Sequence, residues 1–391
     1  VILIGMDGVF DKALNGVSSA NIKGATQLSN NGTITLSSNW DRTSTLIGMR
    51  TGSFGTATNG ASGAIQISGS GVGTVTGMQA SGGDKSYLDN KGTIEITGSN
   101  FTGYGMYGHG AGVTATNENE IKLNTSDGAG MYAEGNGDIV NGAAGVIEVI
   151  NGGVGMRGES AGNIENNGTI NMSQNSIGIL SKGSTKVRNE GDINMNAGGT
   201  GMRVEGGYPV FMDGNINVTG GGIGIDLIST GLHNLSQKGN ITITGDDSIG
   251  IQAKNSSSSD DIDYSGQISV TGKNAQGIVT ENSFSSLDEG NSTLNLSSGE
   301  ITVSGDNAIG VNSKGNDAVE IGSRVYNNVT KLMATGANAV GVQMNEGFLT
   351  VAKNAAVTAD GENSYGVRVL GEGVKVAVAS GATVNAKGDN T

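Results

Sequence analysis

Apolar residues recur along the chain in two short patterns. The first reads apolar–Gly–apolar, as in Ile47-Gly48-Met49, Tyr104-Gly105-Met106, Val154-Gly155-Met156, Ile249-Gly250-Ile251 and Val340-Gly341-Val342. The second reads Gly-x-Ile-x-apolar, as at Gly92 to Ile96, Gly168 to Met172, Gly191 to Met195 and Gly239 to Ile243. From Gly155 the first pattern returns at Gly178, Gly201 and Gly224, a 23-residue step; elsewhere the step is 25 to 33, and 43 at the start. From Ile121 onward the second pattern's Ile precedes the next central Gly by 8 or 9 residues. The distance from that Gly to the next Ile varies. One connection is therefore a fixed tight corner and the other accepts insertions. A weaker third segment fills the variable arc, as at Asn163 to Asn166, Thr185 to Arg188 and Pro209 to Phe211, and an Asn- or Gly-rich corner such as Asn166-Asn167-Gly168 follows it.

Each segment alternates with period two, the signature of a strand. Ile170 and Met172 flank Asn171, Ile193 and Met195 flank Asn194, and Ile216 and Val218 flank Asn217. These outward Asn residues are expected to stack into an amide ladder. Around the central Gly strict alternation fails. Either both faces of that strand are apolar, or the Gly marks a local bend.

One repeat of three short strands cannot bury its own apolar side chains. Stacked copies pair like strand on like strand at about 4.8 Å and build a continuous core. The expected fold is all-β: a right-handed parallel β-helix with about three strands per rung and roughly 14 rungs, on the order of 65 Å long. The chain reads as one continuous segment over 1–391, with longer loops near 10–31, 255–264, 282–295 and 312–329. It opens inside a repeat at Val1-Ile2-Leu3-Ile4-Gly5 and closes on a shortened corner at Lys387-Gly388-Asp389-Asn390. With no polar cap at either end, it is expected to be a piece of a longer rod.

Composition sharpens this reading. The 70 glycines, single Pro and absent Cys among 391 residues suit many tight corners between ladders, and exclude a disulfide framework, a thiolate metal site and a thiol nucleophile. Collagen is excluded because Gly lacks a three-residue period. The net charge of −14 argues against nucleic acid as a partner.

The Asn-x-Gly-Thr-Ile-x-apolar run at Asn90 to Ile96, followed by Gly105-Met106-Tyr107, resembles the passenger regions of type V autotransporter adhesins. The large fusobacterial outer-membrane adhesins of the RadD type are similar. Filamentous-haemagglutinin-type exoproteins are similar in architecture. The resemblance implies an exported rod on the outer face of the outer membrane, carried by a β-barrel translocator in cis. Its implied partners are host-cell or bacterial surface proteins or glycans.

Little in the chain points to catalysis. His109 and His233 lie five repeats apart, too far to share a site. Glu95, Lys122 and Glu148 occupy the outward position of successive second-pattern strands and are expected to form an ion-pair stripe. Gly135-Asn136-Gly137-Asp138 is a lone echo of a calcium nonapeptide and reads as a turn. The expected function is a non-enzymatic adhesin or stalk, without a cofactor or metal. A β-helix polysaccharide lyase or glycoside hydrolase is the alternative. The candidate binding surface is the column two residues after the central Gly, including Arg50, Tyr107, Tyr132, Arg157 and Arg203. It is joined by the loop residues Phe284, Leu287, Asp288, Glu289 and Tyr326. Trp40, the only Trp, falls in a stretched corner.

Overall fold

The computed structural model describes residues 14–18, 26–39, 44–82, 85–174, 176–206, 209–229, 234–255, 261–282, 293–322 and 329–389. Among these there is no helix, and the strands form parallel ladders wound as a β-solenoid with three strands per rung. The chain divides into two compact units, Val1–Met195 and Asn196–Thr391.

One rung of the first unit illustrates the plan. A glycine strand, Thr102–His109, turns into an asparagine strand, Val113–Asn117, and then into an isoleucine strand, Glu120–Asn124. Seven isoleucine strands stack in this unit, from Thr33–Asn39 to Asp192–Met195. Their register aligns Ile34, Ile65, Ile94, Ile121, Ile147, Ile170 and Ile193 in one column. All seven are buried, each contributing about 2 kcal/mol by the removal of its apolar surface from water.

The central Gly is the bend. Gly105 and Met106 are both buried, whereas Tyr104 and Tyr107 on either side are partly exposed. In the ladder, Tyr104 pairs Ala129 and Met106 pairs Met131, while Gly105 is passed over. A Cβ on Gly105 would lie 2.5 Å from the Gly130 carbonyl oxygen and 2.3 Å from Ile121 Cγ2. The same encounter, Gly with Ile, recurs at Gly77 with Ile94, Gly130 with Ile147 and Gly155 with Ile170. Gly is required there by close approach, because no side chain fits between the two sheets.

A polar seam runs through the first unit. Asn30, Asn59, Asn90, Asn117, Asn141, Asn166 and Asn189 close the successive asparagine strands and are fully buried. Each of the first six donates from Nδ2 to Oδ1 of the next, at 2.7–2.8 Å. The same Nδ2 groups also reach backbone carbonyls, such as those of Thr93, Glu120 and Asn119. This interior ladder is distinct from the outward one expected at Asn171 and Asn194, where Asn194 Nδ2 donates to Asn171 Oδ1 at 3.0 Å.

The second unit repeats the plan with a different filling. Seven isoleucine-type strands stack from Asn215–Thr219 to Thr383–Lys387. At the position of the buried amides, Met212, Gln237, Tyr264, Leu296, Ile321 and Val351 lie in register, all buried. Its corners carry the amide ladder instead. Asn274, Asn307 and Asn338 all have positive φ, near 57–60°, which Asn tolerates better than most residues. Asn274 donates to Asp247 at 2.8 Å, Asn307 to Asn274 at 2.9 Å and Asn338 to Asn307 at 3.2 Å. Pro209 directly precedes the strand Val210–Met212, where its missing N–H costs the ladder nothing.

Within the segments expected to hold longer loops, the described residues include strands. Leu14–Ser18 and Thr26–Asn30 are strands within 10–31, and Asp261–Tyr264 and Thr293–Leu296 pair with each other. Ile309–Ile321 is one strand with a register irregularity between Ser313 and Asn316. Its alternation of Ala318, Val319, Glu320 and Ile321 continues the ladder, so the part of that segment up to Ile321 is strand.

Candidate functional site

The column of residues two after the central Gly is a physical row within each unit. In the first, Arg50, Gln79, Tyr107, Tyr132, Arg157 and Leu180 are successive register partners. In the second, Arg203 pairs Asp226. Phe284, Leu287, Asp288, Glu289, Tyr326, His233 and Trp40 lie outside the described residues.

Tyr107 and Tyr132 stack with ring centroids 5.2 Å apart, and Tyr104 joins them at 5.9 and 5.1 Å. The guanidinium of Arg157 lies 5.2 Å from the Tyr132 ring centre, within cation–π reach. The rings rest on an outward apolar patch of Ala129, Val154 and Leu180, leaving Tyr132 only 8% exposed. Period two then places an acceptor beside each donor. Tyr107 donates to Glu134, and Tyr132 donates to Glu134 at 2.9 Å and to Glu159 at 3.2 Å. Arg157 Nε donates to Glu159 at 3.1 Å, and His109 Nδ1 lies 3.0 Å from Glu134. Tyr104, Glu134 and Glu159 escaped the sequence reading. The signal for the two carboxylates was their place two residues after Tyr132 and Arg157, on the same strand face.

Burial, then the carboxylate of Glu134, pushes the Tyr107 and Tyr132 phenols well above their ordinary value. Burial also raises Tyr104. For Glu134 burial is the largest influence and acts upward. Hydrogen bonds from Tyr107 and Tyr132 and the nearby His109 outweigh it and hold the carboxyl below its usual range. Glu159 is held low chiefly by the hydrogen bond from Arg157. The phenols stay protonated and donate; the carboxylates stay ionised and accept. Tyr107, Tyr132 and Arg157 spend their polar groups internally and act as a clasp across the rungs.

Arg203 and Asp226 form a similar closed contact, with Nε at 3.0 Å and Nη2 at 2.9 Å from Asp226 Oδ2. Lys122 Nζ lies 3.2 Å from Glu148 and pairs Glu95 in register, so the expected stripe is present. Gly135 and Asn136 both adopt positive φ in a tight turn, and the Asp138 carboxylate accepts from Asn163. No group of three metal-ligating side chains occurs among the described residues.

The open surface is on the neighbouring face. An open groove of about 590 Å³ lies along the outer side of the asparagine strands, lined by Thr56, Tyr87, Asp89, Lys91, Thr116 and Glu118. Tyr87 is 45% exposed. Its register partners are Thr56 and Thr114, and those of Asp89 are Thr58 and Thr116. Short threonines on either side leave the ring standing above the sheet. Lys91 Nζ lies 2.8 Å from Asp89.

Residues 12–145, about a third of the chain, match the family model of the BigA third pectate lyase-like domain. The match spans the groove, Tyr107 and Tyr132. No curated protein and no solved structure matches the chain.

Proposed function

We propose that the chain is part of a surface-displayed bacterial passenger of the autotransporter type, acting as a non-enzymatic adhesin scaffold. The observation that carries this reading is the match of residues 12–145 to a BigA domain, since BigA is an autotransporter-type adhesin. The stacked ladders support it: they form a stiff support on which outward side chains hold fixed spacings. The finer likeness to RadD-type adhesins, the outer-membrane location and the β-barrel translocator in cis belong to the same proposal. The partner is a protein or glycan on a host cell or another bacterium. Beads coated with the 391-residue chain should bind one of these cell types above beads coated with an unrelated acidic protein. Equal binding to every cell type and to uncoated plastic would reduce the chain to a spacer.

A second reading keeps the groove but assigns it cleavage. The Asp89 and Glu118 carboxylates beside Lys91 favour it, as does the pectate lyase-like likeness. It requires unsaturated or reducing-end products from a polysaccharide panel.

A further inference from the structure

We infer that the groove at Tyr87 is a binding subsite for a neutral glycan, an inference that rests on the adhesin reading and names its partner's chemistry. Four tyrosines of the first unit have been described, and three of them are engaged. Tyr104, Tyr107 and Tyr132 stack on one another, and the hydroxyls of Tyr107 and Tyr132 are held by carboxylates. Among the described residues nothing holds the ring or the hydroxyl of Tyr87, which is nearly half exposed. Its flanking partners Thr56 and Thr114 can pack only against the base of the ring, so its outer face stays open. Its flat face carries the negative side of an aromatic quadrupole. Such a face accepts the weakly positive C–H groups on one side of a pyranose ring.

The surrounding groups supply the rest of a sugar site. Asp89 and Glu118 offer acceptors for ligand hydroxyls, and Lys91 offers a donor. Lys91 and Asp89 are already paired at 2.8 Å, which holds both head groups at the groove edge, with Thr56 and Thr116 offering further hydroxyls. The groove is shallow and open, so a sugar would lie along it with one face in solvent. Charge decides the ligand class. Two carboxylates against one ammonium leave the site negative, on a chain of net charge −14. A sialylated or uronic-acid sugar would bring its carboxylate against Asp89 and Glu118. A neutral hydroxyl-rich sugar meets no such repulsion.

The test is saturation-transfer NMR and titration of the 391-residue chain with lactose, cellobiose and 3′-sialyllactose. A neutral disaccharide is expected to bind at least tenfold more tightly than its sialylated counterpart. Tyr87→Ala is expected to weaken binding at least tenfold, Tyr87→Trp to retain it, and Tyr365→Ala, at an exposed tyrosine of the second unit, to leave it unchanged. Circular dichroism should show Tyr87→Ala to be folded, as suits an outward position. Binding unaffected by Tyr87→Ala, or tighter for the sialylated sugar, would overturn the inference. Lack of binding to all three sugars by a chain that still coats beads adhesively would also overturn it, leaving the adhesin reading intact. Sugar binding without cell attachment would do the reverse.

Discussion

Gly105 and Ile121 belong to one cross-section of the first unit, and a methyl group added to Gly105 would stand 2.3 Å from Ile121 Cγ2. Gly105→Ala also drives its Cβ toward the Gly130 carbonyl oxygen of the next rung at 2.5 Å. A backbone oxygen within a ladder cannot swing aside as a side-chain end can. The substitution is expected to cost about 1–3 kcal/mol, as overpacking does. Gly32→Ala, where nothing lies within 4 Å of the added carbon, should be near neutral. Urea denaturation midpoints of the two variants check the contrast.

Asn117 stands in the middle of the interior amide ladder. Asn117→Ala strips Asn90 Nδ2 of its acceptor and Asn141 Oδ1 of its donor, and both groups are fully buried. Asn90 Nδ2 keeps its second bond, to the Glu120 carbonyl, so the loss falls chiefly on Asn141 Oδ1, at about 1–3 kcal/mol. The loss should exceed that from Asn194→Ala on the outer face, where water replaces the missing partner. Denaturation of both variants, with hydrogen exchange along the asparagine strands, measures the difference.

Arg203 is bonded to a carboxylate that is almost sealed from solvent, Asp226 being 2% exposed with Oδ1 unpartnered among the described residues. Arg203→Met leaves that charge buried and should destabilise the second unit by about 3 kcal/mol. The double variant Arg203→Met with Asp226→Leu removes both charges and should recover most of the loss. Failure of the double variant to recover stability would show that the pair does more than satisfy itself.

The tyrosine clasp makes two pH limits. Glu134 and Glu159 are held below their ordinary carboxyl value in the fold. Their contribution is complete above the unfolded value and is lost as pH falls through the folded one, at the acid end. The phenols of Tyr107 and Tyr132 are raised above 10. Their contribution is complete below pH 10 and is lost as pH rises through the folded values. Ionisation of Tyr107 and Tyr132, followed residue by residue by NMR, should therefore coincide with loss of the β circular dichroism signal above pH 10, with Glu134→Gln weakening the clasp at neutral pH. Early ionisation of these tyrosines in folded protein would contradict the geometry.

The parallel ladders and their three-strand turns were legible because Gly and Ile return at nearly fixed intervals, and a period of two leaves few alternatives. The fate of Gly105 was not, since whether a residue sits at a bend or on a flat strand depends on how near the opposite sheet comes. Asn166 was read as part of a corner, which is where Asn is found most often; Asn90 and Asn117 occupy the same place in their rungs. Their burial depends on which side of the corner closes over the amide, and local sequence does not encode that. Tyr107 and Tyr132 were identified as a row, but their internal engagement emerged only with Glu134 and Glu159 in place. Tyr87 stood in a strand with ordinary alternation, and its exposure follows from the threonines 31 residues before it and 27 after it.

The interior amides all point one way: from Asn30 to Asn166 each N–H group looks toward the higher-numbered neighbour. Their dipoles add head to tail, and each bond polarises the next. A slip by one residue would carry Asp89 or Lys91 into the seam in place of Asn90, burying a charge where a neutral amide belongs. The seam therefore sets the phase of every turn: a rung one residue out of step would hold a charge where its neighbours hold amides.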